Sequence, residues 1–102
     1  MLNREPIVLQ VVEGTHKDIA DLYSVWVVGT ESAEGIYLDG NSQGVYVFPC
    51  EEIARTYLEE SNLPGKSWCY SWQDLVEVFR DSSETHVVVF GQNGCLRVPL
   101  VE

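Results

Sequence analysis

The apolar residues of this chain come in short runs closed by turn formers, and that pattern makes strands its main building material. Pro6 to Val12 is apolar except for Gln10, and its β-branched content favours a strand that Gly14 ends. Tyr23 to Val28 is a second strand, apolar on both faces and therefore central. Gly35 to Leu38 and Val45 to Phe48 flank Asp39-Gly40-Asn41-Ser42-Gln43-Gly44, which reads as a hairpin with a loop longer than the tightest type. His86 to Phe90 and Cys95 to Val101 flank Gly91-Gln92-Asn93-Gly94, the clearest hairpin in the chain. Pro99 cannot donate to a ladder, so the last strand is expected at an edge.

Helical spacing appears in two longer stretches. Ile53, Ala54, Tyr57 and Leu58 form one apolar stripe, with Glu51 and Glu52 at the favourable end of the dipole and Pro49 presetting the first turn. Glu51 and Arg55 stand four apart with opposite charge. Trp72, Leu75, Val76 and Phe79 form the second stripe, preceded by Ser71 as N-cap with Asp74 three residues on. A shorter helix or turn from His16 to Leu22 is suggested by Thr15 and Asp18, which imitate a capping box.

These elements predict one α+β domain spanning 1–102. It has a mainly antiparallel sheet of about five to seven strands, with principal helices at about 50–61 and 71–81 packed on one face. A chain of 102 residues with 45% apolar content can bury a core without metal or disulfide staples.

Charge narrows the partners. Sixteen acids against six bases leave a net charge of −10. Such a chain repels the phosphate backbone of nucleic acid and an anionic membrane surface, and attracts a basic protein or a small cationic ligand. No apolar run is long enough for a signal-peptide core or a membrane-spanning helix. Three widely spaced cysteines, Cys50, Cys69 and Cys95, point to reduced thiols and a cytoplasmic setting.

Motifs for chemistry are thin. Asp39 to Gly44 imitates the opening of a calcium loop, but its twelfth position is Cys50 where a bidentate carboxylate is needed. Gly65-Lys66-Ser67 imitates the end of a phosphate loop whose first glycine would be Glu60. His16, His86 and the cysteines lack the close spacing of a structural zinc site, so no metal or cofactor is expected. Cys50 is the best nucleophile candidate, at a helix N-terminus, but Glu51 and Glu52 oppose its thiolate. The doublets Glu51–Glu52 and Glu59–Glu60 read as a solvated helix face.

The aromatic residues carry the functional expectation. Trp68, Tyr70 and Trp72 fall at spacing two, although the Ser71 cap turns the chain before Trp72 and makes it core. Trp68, Tyr70, Trp26 and Tyr46 are the candidate binding residues, as a patch for a protein partner or a cage for a cation. The expected function is a non-catalytic binding or interaction module. Its partner would be a cationic or aromatic small ligand, a basic protein, or a second copy through an edge strand or the aromatic patch. The alternatives are a cysteine-dependent enzyme, with Cys50 or Cys69 as nucleophile, and an acidic, immunity-type inhibitor of a basic protein.

Overall fold

The computed structural model describes residues 2–4 (backbone only), 10–62, 64–91 and 94–101. It is an α+β fold. In chain order the strands are β1 (Leu2–Arg4), β2 (Val11–Glu13), β3 (Ser24–Ser32), β4 (Gly35–Asn41), β5 (Gly44–Val47), β6 (Lys66–Ser71), β7 (His86–Gly91) and β8 (Gly94–Pro99). Helix α1 (Glu51–Glu60) joins β5 to β6, and α2 (Trp72–Val78) follows β6 directly. A short 3-10 helix, His16–Ile19, stands where the Thr15–Asp18 pattern places it, with the Thr15 amide donating to Asp18 Oδ2 at 2.8 Å. Of the apolar run Pro6 to Val12, residues 6–9 lie outside the described residues.

The strands are ordered β2-β8-β7-β5-β4-β3-β6, with β1 attached to β4. This sheet is mixed, not mainly antiparallel. The pairs β1–β4, β2–β8 and β5–β7 are parallel, whereas β3–β4, β3–β6, β4–β5 and β7–β8 are antiparallel. The two hairpin signals are local and predict the antiparallel pairs β4–β5 and β7–β8. The parallel pairs join segments distant in the chain, where no turn sets the direction. Trp26 and Phe48 exchange backbone hydrogen bonds of 2.8 Å, while Gly29 to Ser32 pair with β4. The sheet therefore curls around β3.

The β4–β5 connection is tighter than the sequence suggests. Asn41 pairs with Gly44, leaving a turn of Ser42 and Gln43. Asn41 Oδ1 accepts from the Gln43 amide and its Nδ2 donates to Gln43 Oε1, both at 2.8 Å. Gly44 has φ +151°, and a Cβ there would stand 2.5 Å from the His86 carbonyl oxygen. Glycine is required at this close approach of β5 to β7.

The two helices cover opposite faces, which corrects the expectation of one helical layer. Val25, Val27, Val45, Val47, Val87 and Val89 share a core with Leu75 of α2 and with Phe79. Val28, Tyr46, Phe48 and Val88 share the other with Ala54, Ile53, Tyr57 and Leu58 of α1. Because β3, β5 and β7 are apolar at both parities, each face needs its own cover.

Both helices begin close to expectation. Cys50 is the N-cap of α1, which puts Pro49 before the helix and not in its first turn. Ser71 caps α2, its Oγ accepting from the Asp74 amide at 3.1 Å. The second helix stops at Val78, short of 81, and Ser82 Oγ donates to the freed Phe79 carbonyl at 3.0 Å. The last strand is not an edge, because β2 pairs alongside it at Cys95–Arg97 and Pro99 lies beyond that stretch. The terminal strands of the order are β2 and β6. Among the described residues no helix is long and apolar enough to cross a membrane.

Candidate functional site

The four aromatic candidates divide between the two faces. Trp68 and Tyr70 pair across β6 and β3 with Val27 and Val25, so cross-strand neighbours turn them toward α2. There they lie half-buried beside Trp72. Trp26 and Tyr46 belong to the α1 face, and Tyr46 is only 4% exposed. The structure thus brings Trp68, Tyr70 and Trp72 together on one core, and sets Trp26 and Tyr46 on the other side of the sheet.

The titratable candidates have separate local partners. His16 stands edge-on to Trp72 with centroids 5.3 Å apart, its Nε2 lying 2.6 Å from the Pro99 carbonyl oxygen. His86 Nδ1 lies 2.8 Å from Thr85 Oγ1. Among the described residues no three His, Cys, Asp or Glu side chains gather closely enough to hold a metal ion. Cys50 and Cys69 are exposed, whereas Cys95 is half-buried and its thiol is pushed above the usual range by that burial.

A different constellation lies between α1 and β7. Along α1, Ile53 and Tyr57 turn inward, and Glu52, Thr56 and Glu60 recur every fourth residue as an outer ridge. From the sheet, Phe48 and Phe90 rise against the helix on the same parity as Tyr46 and Val88. Phe48 and Phe90 stack at 4.9 Å, and Tyr57 lies 5.2 Å from Phe48 and 5.9 Å from Phe90. Tyr46 meets Phe90 edge-on at 5.0 Å. Edge-on and offset arrangements of this kind add to the stabilisation from buried area.

Beneath this floor the Tyr57 hydroxyl donates to Asp39 Oδ2 at 3.1 Å. Asp39 is 2% exposed. Burial, then the negative charge of Asp39, holds the Tyr57 hydroxyl far above the ordinary tyrosine range. Tyr57 is therefore a neutral donor at any physiological pH, with its ring oriented by a buried carboxylate. The aspartate of the calcium-like segment is thus a strand residue with a structural partner.

Phe48, Tyr57 and Phe90 line a groove of about 390 Å³, with Glu52 and Glu60 at its margins and no basic, histidine or cysteine side chain among its described lining. Arg55, Lys66, Arg80 and Arg97 pair with Glu51, Glu31, Glu77 and Glu13, all outside this groove. Among the described residues neither Glu52 nor Glu60 takes part in an ion pair. Aromatic faces and unpaired carboxylates both favour a cation. A second groove, beside His16 and Trp72, carries Asp74 and Glu77, but Glu77 is held by Arg80 at 2.5 Å.

In the sequence Glu52 and Glu60 belong to acidic doublets of a solvated helix face, and Phe90 ends an apolar strand. The available signal was the four-residue spacing of Glu52, Thr56 and Glu60 beside the Ile53–Tyr57 stripe. Nothing in the sequence links that ridge to Phe90. No protein-family model matches this chain, and comparison with curated proteins and with solved structures returned no match.

Proposed function

We propose that this protein is a non-catalytic binding module that receives a cationic group of its partner in the groove between α1 and β7. The observation that carries the reading is the pairing of an aromatic floor, Tyr57 and Phe90, with two carboxylates that no described base neutralises. A cation over an aromatic face gains about 0.5–1 kcal/mol when exposed and about 2 when desolvated. The net charge of −10 adds long-range attraction for the same class of partner. The cysteine-enzyme reading, with exposed Cys50 or Cys69 as nucleophile, has less support, since the two glutamates that follow Cys50 oppose its thiolate and Cys69 has only its exposure in its favour. Three free thiols fit a reducing compartment such as the cytoplasm.

Amide chemical shifts during titration with tetramethylammonium and with arginine methyl ester test this function. Perturbations clustered on Glu52, Thr56, Glu60 and Phe90 are expected, weakened in Phe90→Ala and in the Glu52→Gln/Glu60→Gln pair. Shifts spread evenly over the acidic surface, or unchanged in the double variant, would remove the groove as the site.

A further inference from the structure

We infer that the natural occupant of the α1–β7 groove is an extended basic segment of another protein, with two cationic side chains four residues apart and an apolar one midway. The inference rests on the cation-binding reading above and adds the geometry of the partner. Glu52 and Glu60 stand eight positions apart on α1, which spans about 12 Å at the rise of an α-helix. At that backbone spacing two separate cations match the two carboxylates better than one does.

An extended chain rises about 3.3 Å per residue, so residues i and i+4 stand about 13 Å apart. Residues i, i+2 and i+4 also project from the same face of that chain. Laid along the groove, the outer two side chains meet Glu52 and Glu60. The middle one then falls beside Tyr57, which stands between Glu52 and Glu60 along α1 and packs against Phe90 at 5.9 Å. Thr56, exposed midway along the ridge, offers a hydroxyl to the backbone of such a segment.

The shape of the groove separates a peptide from a small dication. Small-ligand sites enclose most of their occupant. Glu52, Thr56 and Glu60 on the outer ridge are all exposed, so this groove is open to solvent and fits a segment laid across it better than an enclosed small ligand. The negative field of the whole chain steers a basic protein toward it.

The test compares two acetylated peptides of one composition, Lys-Ser-Phe-Ser-Lys and Lys-Lys-Ser-Phe-Ser, with spermidine and tetramethylammonium as small-cation probes. Binding is read from the same amide shifts at low salt. The spaced peptide should bind about fivefold more tightly than the rearranged one, the size of one additional exposed ion pair. Glu60→Gln should abolish that preference while tetramethylammonium binding at the aromatic floor persists.

Equal affinity of the two peptides alongside normal tetramethylammonium binding would overturn the spacing inference and leave the cation site standing. Spermidine binding more tightly than the spaced peptide would overturn the inference in favour of a small polycation. Failure of every probe, tetramethylammonium included, would remove the cation site and the inference together.

Discussion

Replacing Tyr57 with phenylalanine removes one hydroxyl and keeps the ring, which isolates the bond that orients the groove floor. The bond lost is Tyr57 Oη to Asp39 Oδ2 at 3.1 Å, with Asp39 2% exposed. A hydrogen bond to a charged acceptor contributes about 1.5–3 kcal/mol. The Tyr57 ring is half-buried beside an open groove, so water replaces part of the lost bond and the cost falls near the lower end, about 1.5 kcal/mol. For a domain of this length that corresponds to a fall in Tm of about 6–12 °C.

The pH dependence of that cost is a second readout. The folded-state pKa of Tyr57 is raised, by burial first and the Asp39 charge second. Below about pH 10 the hydroxyl is protonated in both folded and unfolded chains, and its contribution is fully present. Above that value the unfolded chain releases the proton while the folded one holds it, so stability falls as pH rises. The slope is at most about 1.4 kcal/mol per pH unit, reduced by solvent at a half-exposed ring. Urea midpoints of wild type and Tyr57→Phe should differ at about pH 8 and converge toward about pH 11. A double-mutant cycle with Asp39→Asn isolates the pair from the other contacts of Asp39. Equal midpoints at the lower pH, or parallel curves across the range, would refute the assignment of this bond.

Other outcomes follow from local geometry. Ser71→Ala removes the oxygen that accepts from the Asp74 amide and should cost about 1 kcal/mol in urea unfolding followed by tryptophan fluorescence. An unchanged midpoint would show that α2 is held by packing alone. Native-state labelling with a thiol reagent, mapped by mass spectrometry, should modify Cys50 and Cys69 well before Cys95, whose thiol is half-buried and raised in pKa. Early modification of Cys95 would contradict its placement against the α1 core.

Several parts of the fold were legible because their signals are local. Helix α1 follows from the Ile53–Tyr57 stripe and the Glu51–Arg55 pair, which closes at 2.7 Å. Helix α2 follows from Ser71 and the stripe from Trp72 onward. The β7–β8 hairpin pairs His86 with Pro99 through to Gly91 with Gly94, as the turn composition indicates. The segment from Asp39 to Asn41 misled, because its residue types favour turns. It is strand because β1 and β5 pair with it, and because Tyr57, distant in the chain, gives Asp39 a partner.

The candidate site was legible only in pieces. Trp68, Tyr70, Trp26 and Tyr46 each carry the chemistry of a binding aromatic, yet β6 pairing with β3 assigns the first two to the α2 face. Glu52 and Glu60 share a helical ridge whose four-residue spacing is explicit in the sequence. Phe90 joins them only because β7 lies parallel to β5, in the register that sets Val88 beside Tyr46.

By itself the amino-acid sequence determined where most strands and helices begin, how they are capped and how acidic the surface is. These depend on side chains within about four residues of one another, where helix and strand periods apply. Only the tertiary structure decided the parallel pairings, the assignment of one helix to each face, and the meeting of Tyr57, Phe48, Phe90 and Asp39. The physical reason is that β3, β5 and β7 are apolar on both faces. Local pattern is then indifferent to which face a helix covers, and burial of both sides at once makes the choice.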